Sequence, residues 1–295
     1  MNAKSIFFIG LFLAGTWCFS QSLPVVKYYE YDKSIPLKDS VQLISETTDY
    51  NLFSVAYTGN HHKTVTGLLS VPKNATAPLP VIILMHGLGD HKETDYVEFG
   101  NRFLLKHGYA VLRLDISDHG DREEDFYEFD FTGKYKYWSR NVVSQTVFDL
   151  RRAVDFIETR EELDAEKIGY FGISLGGITG TVFCGVERRI KVPIIVLAGG
   201  QLNLLFKDKI PAQEAMDFVS FIDPINFVKH ISPRPLLMIN AKNDEVIPPK
   251  MSQLLFEKAE EPKEIIWYDA KHRDAPLDKV YGDGLQWFNT YLKQS

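Results

Sequence analysis

Lys167-Ile168-Gly169-Tyr170-Phe171-Gly172-Ile173-Ser174-Leu175-Gly176-Gly177 is the stretch on which the reading of this chain turns. A buried apolar run leads straight into a glycine, a serine and a second glycine at alternate positions, and a helix-like segment follows. That is a strand, a sharp turn and a helix with Ser174 at the apex. A residue at the tip of so tight a turn has a strained backbone, and its neighbours two before and two after must be small to clear the adjoining strand and helix. Gly177 extends the small patch and lets the helix pack closely. The plain structural alternative is an ordinary strand-to-helix turn with Ser174 as an N-cap. The rest of the chain decides between them.

Outward from this turn, strand and helix patterns alternate, which implies a mostly parallel sheet with helices on both faces. Upstream, Val41–Thr48, Leu52–Tyr57 and Val65–Val71 read as antiparallel strands, with a turn at Gly59-Asn60-His61-His62 whose histidines read as solvated tip residues. Val81-Ile82-Ile83-Leu84-Met85 is continuously apolar, as a strand covered on both faces should be. A helix over Phe99–Lys106, a strand over Tyr109–Leu114 and a long helix over Val142–Glu158 come next. Beyond the turn, strands are expected at Val192–Leu197, Leu236–Asn240 and Ile265–Tyr268, and a last helix at Leu277–Tyr291.

Two segments break the rhythm beyond strand ends, where such sheets meet their ligands. Residues 116–139 are charged in front and aromatic behind, with Phe126, Tyr127 and Trp138 as candidate cleft residues. Residues 199–231 are expected to form a small helical cap that brings Leu202 to the same cleft. Simple anchoring of a long loop is the competing reading of these aromatics.

A nucleophilic serine needs a base and a group to orient that base, both from loops after later strands. Asp244 follows the strand ending at Asn240, and His272 follows the strand ending at Tyr268. The order Ser174, Asp244, His272 runs with separations of 70 and 28 residues, each enough for a strand and a helix. Glu245 should point the other way out of its turn, Asp223 before Pro224 reads as a helix cap, and Asp269 sits too close to its strand end. His107 and His230 read as helix-end residues. Developing negative charge on a carbonyl oxygen calls for backbone donors. The N–H of Leu175 is one, and that of Leu88, in His86-Gly87-Leu88-Gly89-Asp90, is the other, with Gly87 second and His86 a structural hydrogen bonder.

The chain resembles the α/β-hydrolase-fold serine esterases, nearest their dienelactone hydrolase-like and carbohydrate-esterase-like branches. The likeness runs from about Leu79 to Tyr291 through His86-Gly87, Gly172–Gly177, Asp244 and His272. Dienelactone hydrolases carry a nucleophilic cysteine where this chain has Ser174. Asp118-His119-Gly120 is similar to a structural turn such enzymes carry. The resemblance implies two-step acyl transfer without metal or organic cofactor, in which Ser174 attacks an ester, His272 moves the proton and Asp244 fixes the imidazole. Neither a metal-binding His or Cys spacing nor a phosphate-cradling glycine loop with lysine is present.

Composition sets the remaining bounds. The 295 residues are 45% hydrophobic, enough for a single large α/β domain over residues 21–295. A formal net charge of −6 without a basic run argues against nucleic acid or an anionic membrane surface as partner. Residues 1–20 read as a secretory signal, with a positive start at Lys4, an apolar stretch over Ile6–Ala14 too short to span a bilayer, and cleavage after Ser20. A lipoprotein anchor on Cys18 is the weaker reading, because bulky Trp17 precedes it. Cys184 then remains alone, a small buried apolar residue on the helix after Ser174. Export points to small-molecule or polysaccharide esters outside the cytoplasm, such as acetyl or aryl esters of carbohydrate, with no stable membrane insertion. A lipase or thioesterase is the alternative, and a prolyl oligopeptidase-like peptidase a more distant one.

Overall fold

A computed structural model describes residues 24–73, 78–123, 128–206 and 209–293. The strands are β1 (Ser40–Glu46), β2 (Tyr50–Thr58), β3 (Thr64–Pro72), β4 (Leu79–Met85), β5 (Ala110–Leu114), β6 (Leu163–Ile173), β7 (Ile190–Val196), β8 (Leu236–Ala241) and β9 (Lys263–Tyr268). They form one sheet in the order β1-β2-β3-β5-β4-β6-β7-β8-β9. β1, β2 and β3 pair antiparallel, and β3 also meets β5 antiparallel. From β5 onward every pairing is parallel. This is the α/β architecture that the alternating sequence pattern predicts.

Helices α1 (Asp95–Lys106), α2 (Lys136–Glu158), α3 (Leu175–Val186), α4 (Ala212–Val219), α5 (Pro249–Lys258) and α6 (Leu277–Tyr291) cover the two faces. The unbroken apolar run in β4 serves both layers. Val81, Ile83 and Met85 point into the cluster that includes Val147 and Leu150 of α2, Val182 of α3 and Leu255 of α5. Ile82 and Leu84 point into the opposite cluster, with Leu104 of α1 and Val280 and Phe288 of α6. Each such aliphatic side chain contributes roughly 1.5–3 kcal/mol on burial.

Residues 24–35, ahead of β1, are tied down by hydrogen bonds. Tyr29 Oη donates to Phe221 O at 2.7 Å, Tyr31 Oη to Asp155 Oδ1 at 2.8 Å, and Arg152 of α2 to Ile35 O at 2.7 Å. These residues strap α2 to the segment before β8. That segment, expected as a cap over 199–231, consists of a 3-10 turn at Leu202–Phe206, α4, and two further 3-10 turns at Pro224–Asn226 and Val228–His230. Asp223 caps the first of these two, accepting from the Ile225 N–H, as its place before Pro224 suggests.

Two expectations need correction. The interrupting segment does not reach Ser139, because α2 begins at Lys136 and so takes Tyr137 and Trp138 into its first turn. β6 also starts at Leu163, where an early pairing with Leu79 precedes a register shift before the main ladder. Phe126, Tyr127 and the leader read in residues 1–20, with Cys18 and Ser20, lie outside the described residues. Among the described residues no helix is long and apolar enough to cross a membrane.

Candidate active site

Ser174 sits where β6 turns into α3, with φ 55° and ψ −115°. A non-glycine residue held there costs on the order of 1–3 kcal/mol, which the surrounding packing must offset. The flanking glycines are sterically required. A Cβ on Gly172 would lie 2.4 Å from Gly176 O, and one on Gly176 would lie 2.6 Å from His86 O. Both neighbours are backbone, which cannot swing aside. The Ser174 N–H donates to Val196 O at 2.9 Å, fixing the apex against the end of β7.

The loops after β8 and β9 converge on this serine. His272 Nε2 lies 3.0 Å from Ser174 Oγ, and His272 Nδ1 lies 2.7 Å from Asp244 Oδ2. Asp244 is itself anchored, because its Oδ1 accepts the N–H groups of Val246 at 2.9 Å and Ile247 at 2.8 Å. An ionised carboxylate only accepts, so Nδ1 carries the proton and Nε2 presents a lone pair to the serine hydroxyl. Asp244 and His272 are both buried. Glu245 is exposed, and its carboxylate receives the backbone N–H of His272 rather than the imidazole.

The His86–Asp90 loop closes the other side. His86 is fully buried, donating from Nδ1 to Gly87 O at 2.7 Å and accepting the Ile116 N–H at Nε2 at 3.0 Å. Burial lowers its pKa from 6.5 to about 4, so it stays neutral as a structural crosslink. The Gly87 N–H is taken by Tyr96 Oη at 2.7 Å, and the same hydroxyl donates to Asp90 Oδ2 at 2.9 Å. Leu88, at the tip of this loop, is 39% exposed and borders the cavity that holds Ser174; Leu175 opens α3 directly after the serine.

That cavity measures about 230 Å³ and is walled by Ile173, Val196, Leu197, Leu277 and Val280 beside Tyr96. Of the expected cleft residues, Phe126 and Tyr127 lie outside the described residues. Trp138 borders a neighbouring cavity. Leu202 is fully buried, with its N–H held by Asp223 Oδ2 at 2.8 Å, so its side chain belongs to the core. Among the described residues none of the 199–231 segment lines the serine cavity. The walls that sequence reasoning missed are the carboxyl end of β7 and the first turn of α6, and position beyond a strand end was the available signal. Tyr96 gave no such signal.

Residues 80–227 match the profile of the alpha/beta hydrolase fold. The chain belongs to the α/β-hydrolase fold family. The matched stretch contains Ser174 but ends before Asp244 and His272, so the meeting of these three side chains is a property of the fold in three dimensions. Among curated relatives, the putative hydrolase YtaP of Bacillus subtilis (strain 168) is 24% identical over 214 residues, covering 64% of this chain and 68% of that one. YfhR of Escherichia coli (strain K12) is 29% identical over 168 residues, covering 55% of this chain and little more than half, 58%, of its own length. The solved acetyl xylan esterase from Paenibacillus sp. R4 superposes with a TM-score of 0.73 at 22% identity, over 87% of this chain and 90% of that one. Acetyl xylan esterase 1 from Thermoanaerobacterium sp. JW/SL YS485 gives 0.72 at 16% identity, over 89% and 90%. At these identities the two structures speak for the shared fold.

Proposed function

We propose that this chain is a serine hydrolase of carboxylic esters. The observation that carries the reading is the continuous hydrogen-bond chain from Ser174 Oγ through His272 to Asp244, at 3.0 and 2.7 Å. His272 takes the serine proton as Oγ attacks the ester carbonyl, and Asp244 stabilises the imidazolium. The carbonyl oxygen becomes an oxyanion received by the N–H groups of Leu88 and Leu175, Gly87 being engaged by Tyr96. The alcohol departs with the proton from His272. Water then attacks the acyl-serine by the same route, its hydroxyl ending in the acid and its remaining proton returning to Ser174.

The serine cavity, about 230 Å³ and apolar, is below the ~300–1,000 Å³ usual for small-ligand sites. It suits a short acyl group such as acetyl. The acetyl xylan esterases that share the fold support a carbohydrate ester as substrate, and the signal-like sequence pattern of residues 1–20 supports action outside the cytoplasm on a small-molecule or polysaccharide ester. The single unit over 21–295 carries the whole reaction.

The test is hydrolysis of p-nitrophenyl acetate, butyrate and a long-chain ester, with Ser174→Ala in parallel. Acetate is expected to be the best substrate, and the variant to lose on the order of 10⁶ in kcat. Equal rates for the two proteins would overturn the assignment.

A further inference from the structure

Leu88 walls more than the cavity at Ser174. A second cavity of about 500 Å³ lies across the His86–Asp90 loop and shares Leu88 and Asp90 with the first as common walls. A third, of about 440 Å³, shares Asp118 and Trp138 with the second. Each of these two has the size of a complete small-ligand pocket, ~300–1,000 Å³, whereas the serine cavity is smaller.

We propose that the three cavities form one groove for a neutral oligosaccharide, with the short acyl group at Ser174 and the sugar chain passing over Leu88 through the two larger chambers. This rests on the esterase reading and names the alcohol it acts on. A compact alcohol would occupy one chamber, while successive chambers of similar size match successive units of a polymer. Trp138 borders both the second and third chambers and Phe129 borders the second, the two rings meeting edge to face at 6.3 Å, so that the path carries aromatic surface on which a sugar ring can pack.

The polar lining fits the same ligand. Asp118 and Glu128 accept hydrogen bonds only, and the amide of Asn141 both donates and accepts, so hydroxyls that do both find partners along the path. Asp90, Asp118, Glu123 and Glu128 make the second chamber negative, which disfavours uronate or phosphorylated units there, while Lys63 adds a donor in the third. The path has aromatic platforms as well as acceptors, and this favours a hydroxyl-rich polymer over a bare cation.

Two measurements on the full chain test this. Titration with unesterified xylo-oligosaccharides of increasing length should show affinity rising about tenfold or more from the single sugar to the longest. The kcat/KM for their acetylated forms, taken relative to p-nitrophenyl acetate in the same protein, should rise in parallel. Trp138→Ala should flatten both dependences, and so should Asn141→Ala at an exposed position where folding is not at stake. Affinity and relative kcat/KM independent of length, or a preference for a choline ester over the sugar ester, overturns the groove. Affinity that rises with length in a protein inert toward p-nitrophenyl acetate supports the groove and overturns the esterase reading instead; hydrolysis of p-nitrophenyl acetate without length dependence does the reverse.

Discussion

Asp244 accepts three hydrogen bonds, two from its own turn and one from His272, so its side chain is fixed before any substrate arrives. In the proposed mechanism Asp244→Asn keeps that shape but favours the wrong imidazole tautomer. Its kcat should fall by about 10⁴ with the melting temperature little changed. Tyr96 works one step further back, engaging the Gly87 N–H and Asp90 so that the loop carrying Leu88 is held. Tyr96→Phe should lower kcat for p-nitrophenyl acetate by about tenfold with KM nearly constant, because loss of an interaction that serves only the transition state appears in kcat. Ser174, Asp244 and His272 were legible in the sequence because each follows an apolar strand and the glycines beside Ser174 report a steric demand. Tyr96 was not, since nothing in its own neighbourhood says that its hydroxyl folds back onto Gly87. Leu202 misled for a related reason: an apolar residue beyond a strand end reads alike whether it faces a ligand or the core.

Elements were legible where one period ran uninterrupted. The run in β4 and the start of α6 at Leu277 stand as the pattern predicts. The start of α2 did not, because Tyr135, Tyr137 and Trp138 are aromatic in a helix as in a loop, and no side chain caps the helix to mark its beginning. The root of the preceding segment is fixed instead by charge. Arg122 reaches Asp149 of α2 at 2.6 Å and Asp115 O at 3.0 Å. Burial pushes the Asp149 carboxyl up, against which Arg122 is the main opposing influence. Arg122→Ala strands that carboxylate, and a loss of about 3–5 kcal/mol in urea unfolding at neutral pH is expected. Arg122→Lys should recover part of it.

At the scale of the whole molecule, the neutral histidine at the base of the His86–Asp90 loop ties stability to pH. The folded pKa of His86 is about 4, against 6.5 for a free imidazole, so between these values the unfolded chain binds a proton that the folded chain refuses. The stabilisation is therefore complete above pH 6.5 and declines as pH falls toward 4. Relative to His86→Asn, the native chain should lose about 3 kcal/mol more over that window, read from denaturant melts at several pH values. The strap of residues 24–35 has a different kind of consequence. Tyr29, Tyr31 and the Ile35 carbonyl pin α2 and the segment near Phe221, and Tyr28 of the strap and Phe148 of α2 line the third chamber. A protease cut or a fusion joint placed before Pro24 leaves each of those pins in place, whereas one placed after Tyr31 removes two of them. A chain beginning just past Tyr31 would thus keep only the Arg152–Ile35 contact of the three, and would loosen a wall of the third chamber rather than the serine site.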